Sequence, residues 1–228
     1  MIRIPSIDDS KPQYTLIFLH GLGDSSDGWT FLSERAREFK VLDNFNFIFL
    51  DSPVLKLTLQ KSKAKAWYDF KNLSDILVDE DKMNILISLN YLITIINDEN
   101  LEKNIPLNNI IVGGFSQGCA LSLLLVNLIN YQLGGIIGLS GYLPLYNYIL
   151  ENQNKLDNLN TPIFLGHGIR DKVIDFKQYE RTQKILIDEF GFNNVKCRKY
   201  DNLGHSCNDD EIVDIFKWLV ELSNREEN

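Results

Sequence analysis

With 228 residues, 44% of them hydrophobic and 24% charged, the chain is long enough for one α/β domain and has the balance of a soluble globular protein. Its net charge of −8, with no basic cluster, argues against nucleic acid and against an anionic membrane as a standing partner. Cys119, Cys197 and Cys207 form no C-x-x-C pair, so neither a disulfide framework nor a zinc site is expected, and no metal or cofactor is called for. The start turns acidic at Asp8-Asp9 before a signal peptide forms, and Ile2 stands where myristoylation needs glycine. No run reaches the ~18 apolar residues of a membrane span, and the last residues hold no prenylation cysteine. The chain reads as cytoplasmic, without a stable membrane anchor.

In chain order, the apolar pattern predicts a strand at Tyr14–Leu19, a helix at Thr30–Phe39 and a strand at Phe45–Leu50. A long irregular stretch, Asp51–Ser74, follows. Its Leu55, Leu57, Leu59, Trp67, Tyr68 and Phe70 interleave with Lys56, Lys61, Lys63 and Lys65. Such a loop serves either function or a satellite core, and the sequence leaves both open. Next come a helix at Asp75–Leu101, a strand at Asn109–Gly113, a helix at Gln117–Ile129, and strands at Gly135–Leu139 and Pro162–Leu165. A helix at Phe176–Phe190 stops at Gly191, ahead of a strand at Val195–Tyr200 and a helix at Asp209–Leu222. Strands alternating with helices predict a mostly parallel sheet covered on both faces. No linker or repeat divides the chain, so one domain over residues 1–228 is expected.

Gly114-Phe115-Ser116-Gln117-Gly118 lies between a β-branched strand and an apolar helix, the context of a nucleophile elbow. Glycines allow the tight turn, and the serine is lifted beside the helix N-terminus, where unpaired N–H groups favour a developing oxyanion. A base and an orienting acid must complete such a site. Of three histidines, His20 follows the first strong strand and His167 lies at a strand end. His205 alone occupies the loop between the last strand and last helix, above the edge where the elbow projects. The acid is expected between serine and histidine in the chain. Asp171 fits best, with Asp175 and Asp201 as rivals. For the oxyanion, the backbone N–H of Gln117 is joined by that of Leu22 in His20-Gly21-Leu22-Gly23, with Gly23 as the alternative.

Phe18-Leu19-His20-Gly21-Leu22-Gly23-Asp24-Ser25, Trp67-Tyr68-Asp69 and Gly113-Gly114-Phe115-Ser116-Gln117-Gly118 resemble blocks of the acyl-protein thioesterase family of small α/β-hydrolases. So do Leu139-Ser140-Gly141-Tyr142-Leu143-Pro144, His167-Gly168-Ile169-Arg170-Asp171 and Gly204-His205-Ser206. The resemblance implies a serine hydrolase with Ser116 as nucleophile, Asp171 as acid and His205 as base. It implies S-acylated, membrane-associated proteins as substrates, with lysophospholipids or small carboxylic esters as the alternative on the same machinery. A binding protein of the same fold that has lost catalysis is the rival from another class, and no triad member is missing to favour it. The chain departs from the family around Asp171, where two expected prolines are replaced by Lys172 and Asp175, and at Ala66, where a proline usually precedes the tryptophan. A groove for the acyl chain is expected from Leu57, Leu73 and Ile76 on one side and Val173 on the other.

Overall fold

β-branched and aromatic residues dominate the runs that build the sheet, and their alternation sorts side chains to its two faces. In the computed structural model, which describes residues 1–10, 13–72, 75–152 and 158–224, seven strands form the main sheet. They are β1 (Ile2–Ile4), β2 (Tyr14–Leu19), β3 (Phe45–Leu50), β6 (Ile110–Phe115), β7 (Gly135–Leu139), β8 (Ile163–Gly168) and β9 (Val195–Tyr200). A separate hairpin pairs β4 (Val54–Leu57) with β5 (Ser62–Lys65). The order of the main sheet is β1-β3-β2-β6-β7-β8-β9, parallel throughout except for β1 against β3.

The helices are α1 (Phe31–Glu38), α2 (Lys82–Leu101), α3 (Gln117–Leu128), α4 (Tyr146–Asn152), α5 (Phe176–Lys184) and α6 (Asp209–Ser223). Leu16 and Phe18 of β2 join Leu32 of α1 and Ile212, Phe216 and Leu219 of α6 in one core. Ile17 and Leu19 face the other way, into a core shared with Leu89 of α2, Leu124 of α3 and Ile149 of α4. This is the period-2 sorting of a sheet covered on both faces. Helix α3 is buried over nearly its whole length, so it is apolar all round rather than striped. Truncating one of its leucines to alanine is worth roughly 2–5 kcal/mol.

The structure corrects several boundaries. The helix expected from Asp75 begins at Lys82, because the Asp81 side chain caps it and Asp79 adopts φ 56°, a conformation that breaks a helix. The stretch Asp51–Ser74 is not wholly irregular, since it contains the β4–β5 hairpin, turned where Lys61 has φ 50°. The Phe176–Phe190 helix is α only to Lys184 and widens into a π turn over Ile185–Glu189 before Gly191 at φ 83°. Strands β6 and β8 run further than expected, which carries Phe115 and His167 into the sheet.

Candidate active site

Ser116 follows the last residue of β6 with φ 55° and ψ −112°, an unfavourable conformation for any residue with a side chain. The turn is held by its surroundings. A methyl on Gly114 would lie 2.3 Å from the Gly118 carbonyl carbon, and one on Gly118 would lie 2.2 Å from the Leu19 oxygen. The Ser116 N–H donates to the Leu139 carbonyl at 2.9 Å, which ties the elbow to β7. Gln117 then opens α3, and its backbone N–H belongs to the first turn, whose amides have no carbonyl partner within the helix.

His205 comes from the loop between β9 and α6. Its Nε2 stands 3.1 Å from Ser116 Oγ and its Nδ1 stands 2.7 Å from Asp171 Oδ2. The Phe115 ring packs against the imidazole, 4.7 Å between centroids. The Asp171 side chain is fully buried, and Val173 and Ile174 donate their N–H groups to its Oδ1 at 2.8 and 2.9 Å. Burial alone would push this carboxyl up. The His205 hydrogen bond and charge, with the two backbone donors, outweigh it and hold Asp171 below its ordinary value. An ionised Asp171 can only accept, so the proton sits on His205 Nδ1 and leaves Nε2 free to accept from the Ser116 hydroxyl. That arrangement can draw a proton from serine.

The rival acids lie elsewhere. Asp175 is exposed and caps α5 by accepting the Lys177 N–H at 2.9 Å, and Asp201 is exposed in the turn after β9. The other two histidines are buried and have other partners. His20 Nδ1–H donates to the Gly21 carbonyl at 2.6 Å while its Nε2 accepts the Ser52 N–H at 3.1 Å. Burial lowers its pKa against the Gly21 bond, so it is a neutral brace for the glycine loop. In that loop Gly21 abuts the elbow, since a methyl there would lie 3.3 Å from Ser116 Cβ. The Gly23 N–H is taken by the Lys65 carbonyl at 2.8 Å.

The Gln117 side chain does work the sequence did not announce. Its Oε1 accepts the Trp67 N–H at 3.1 Å, and its Nε2–H donates to the Tyr68 carbonyl at 3.0 Å. The Trp67 ring N–H reaches back to the His20 carbonyl at 2.8 Å. Elbow, glycine loop and tryptophan segment are thus joined by three hydrogen bonds. The spacing of these blocks in sequence gave no sign of it.

Of the expected groove residues, Leu57 is buried and Val173 is 59% exposed. Ile76 is half-buried and borders a crevice of about 10 Å³ beside Tyr68 and Tyr142, whose hydroxyls are 2.8 Å apart. Leu73 lies outside the described residues. A larger depression of about 460 Å³, lined by Glu80, Tyr146, Tyr148 and Arg181 among others, contains none of Ser116, His205 and Asp171. Among the described residues no cluster of His, Cys, Asp and Glu could hold a metal, and no helix is long and apolar enough to cross a membrane.

The phospholipase/carboxylesterase family model matches residues 5–223. The chain belongs to that family. It is 42% identical to acyl-protein thioesterase 1 of Yarrowia lipolytica over 96% of each chain. It is 37% identical to acyl-protein thioesterase 1 of Candida albicans, over 97% of this chain and 96% of that one. Among solved structures it is similar to Zea mays acyl-protein thioesterase 2, with a TM-score of 0.82, 26% identity, and coverage of 97% of this chain and 98% of that one. Arabidopsis thaliana SOBER1 superposes with a TM-score of 0.83 at 26% identity, covering 92% of this chain and 99% of that one. The protein is therefore an α/β-hydrolase-fold enzyme of a hydrolytic family.

Proposed function

We propose that the protein is a serine thioesterase that removes acyl groups from cysteines of S-acylated, membrane-associated proteins. The observation that carries the reading is the single imidazole between Ser116 Oγ at 3.1 Å and Asp171 Oδ2 at 2.7 Å. Ser116 attacks the thioester carbonyl as His205 Nε2 takes its proton, and Asp171 stabilises the imidazolium. The backbone N–H groups of Leu22 and Gln117 receive the oxyanion. Gly23 is the weaker second donor because its N–H is already bonded to Lys65. The tetrahedral intermediate collapses, His205 returns the proton to the departing cysteine sulfur, and an ester remains on Ser116. Water, deprotonated by His205, then attacks that ester and releases the fatty acid. No metal or cofactor enters these steps. The names of the relatives from Yarrowia lipolytica and Candida albicans support the thioester, and a cytoplasmic site of action fits such substrates.

A second reading keeps the machinery and changes the leaving group, to the alcohol of a lysophospholipid or small carboxylic ester. The family's own description, phospholipase/carboxylesterase, favours keeping it in the test. Ser116→Ala is expected to abolish fluorophosphonate labelling and to cut turnover by ~10⁴-fold or more in a folded protein. Competition between a palmitoylated peptide and a lysophospholipid at equal concentration separates the two readings, with the peptide expected to win. Preferred hydrolysis of the lysophospholipid would overturn the thioesterase assignment and leave the serine chemistry standing.

A further inference from the structure

We propose that His167 is a positioning residue, a second imidazole that holds the loop carrying Asp171 so that its carboxylate meets His205. The proposal rests on the Ser116–His205–Asp171 reading above and adds to it a fourth side chain. His167 lies in β8, four residues before Asp171, and is 1% exposed. Its Nε2 is 2.9 Å from the Ile174 carbonyl and 3.5 Å from Asp171 Oδ2. The backbone on both sides of the Ile174 Cα is thereby held. Its N–H donates to Asp171 Oδ1 at 2.9 Å, and its carbonyl accepts from His167. The same oxygen of Asp171 that accepts from His205 also faces the His167 ring nitrogen.

A carbonyl can only accept, so the His167 proton must sit on Nε2. Nδ1 is then a bare buried acceptor, and it has no hydrogen-bond partner among the described residues. Leaving a buried nitrogen unmatched is unfavourable, so this ring orientation is maintained by what Nε2 does. The Phe176 and Tyr179 rings of α5 wall the imidazole at 6.0 and 5.6 Å and restrict its rotation. The titratable groups facing it are Asp171 and Asp175 of the acid loop and His205 across the carboxylate, while Lys199, its register partner on β9, is exposed. Burial lowers the His167 pKa against the pull of the Ile174 bond and Asp171, so the ring stays neutral. A neutral ring holds the loop through the Ile174 carbonyl without competing as a cation for the carboxylate's charge. In the proposed reaction, the ring that takes up the serine proton beside it is His205.

The test begins with the wild-type protein, whose ¹⁵N imidazole resonances report tautomers directly. His167 is expected as the neutral Nε2–H form across neutral pH, and an Nδ1–H or charged ring would overturn the proposal without reference to any substrate. Two variants then measure the consequence on a soluble activated ester. His167→Phe keeps the packing and removes the donor. It is expected to lower kcat by roughly 10- to 100-fold with KM within about 2-fold, and to move the downfield Nδ1–H proton of His205 upfield. His167→Gln places an amide N–H at similar reach and is expected to recover kcat to within about 3-fold of wild type. A folded His167→Phe protein with wild-type kcat, or a glutamine variant no better than phenylalanine, would overturn it. Turnover that persisted in Ser116→Ala would remove the reading beneath the proposal, whereas the tautomer would still report on the strut itself.

Discussion

Two buried carboxylates sit on neighbouring elements, one in the loop after β8 and one in the first turn of α6, and they have opposite fates. Asp171 has a fully buried side chain yet receives donors from Val173, Ile174 and His205. Its pKa is held below the ordinary value in spite of burial. Glu211 is also fully buried, and among the described residues neither of its oxygens meets an N–H or O–H donor. The polar group facing it is the weakly donating Cys207 thiol, and burial pushes the Glu211 carboxyl up to about 7. Glu211 even occupies the third position after the Asn208 cap, where a glutamate ordinarily reaches back to the cap N–H. Here its Oε1 turns inward over Gly166 instead. Burial penalises both charges, and the number of donors decides which one survives.

The largest test of that contrast is Asp171→Asn. The amide can still accept from Val173 and Ile174, but it offers His205 Nδ1–H a neutral partner or an opposing N–H. A loss of ~10³- to 10⁴-fold in kcat is expected from steady-state kinetics, with the protein folded at neutral pH. Sensitivity at Asp175 instead would move the acid along the loop. The signs of the pH dependence also differ. A depressed carboxylate such as Asp171 stabilises the fold above the ordinary Asp range and loses that contribution as pH falls through its folded value. Glu211 does the reverse, binding a proton in the folded state between about pH 4.5 and 7 that the unfolded chain has released.

Much of this architecture was legible in the residues because it depends on local geometry. Gly114 and Gly118 flank a serine at a strand end, and the steric demands of that turn leave few alternatives. His205 stood out as the candidate base because only three histidines exist and one follows the last strand. What stayed hidden depends on distant partners. The β4–β5 hairpin has lysines where a half-buried strand shows apolar residues, and it is anchored by Lys65 accepting the Gly23 N–H and Pro53 accepting the Ala66 N–H. The helix is capped by Asp81 rather than opened at Asp75. The Asp69 N–H donates to Asp81 Oδ2 at 2.9 Å, and that contact from another segment helps place the helix start. The inward turn of Glu211 needs the space that Gly166 leaves on a strand more than forty residues away in sequence, and the role of His167 needs the carbonyl of Ile174.

Smaller effects sharpen the contrast from the α6 side. A methyl at Gly166 would lie 2.3 Å from Glu211 Oε1 and 3.2 Å from Leu139 Cδ2. Gly166→Ala is therefore expected to cost about 2–3 kcal/mol in chemical denaturation. Glu211→Ala in the same chain should recover part of that loss, a coupling that a double-mutant cycle reads directly. Glu211→Gln removes the titration. A carboxyl raised from 4.5 to about 7 costs the fold about 3–4 kcal/mol once ionised, at roughly 1.4 kcal/mol per pKa unit. The amide also lacks partners, so a net gain of about 1–2 kcal/mol at pH 8 and little change at pH 5 is expected. Equal effects at both pH values would mean that Glu211 is not protonated in the fold.

The smallest effect belongs to a third carboxylate, which stands next to Ile174 and yet takes no part in the contrast. Asp175 is exposed, and its side chain accepts the Lys177 N–H at 2.9 Å as the cap of α5. Asparagine caps a helix about as well as aspartate, so Asp175→Asn removes only the favourable placement of a negative charge at a helix N-terminus. That is worth roughly 0.3–1 kcal/mol and is screened by salt. Asp175→Ala removes the cap itself and is expected to cost about 1 kcal/mol. Activity should stay within ~10-fold of wild type in both variants, because Asp171 keeps its three donors. Thermal melts at low and high salt with turnover of one activated ester measure both quantities. A loss of activity in Asp175→Asn matching that of Asp171→Asn, with the cap intact, would show that charge near the loop matters more than the bonds Asp171 receives.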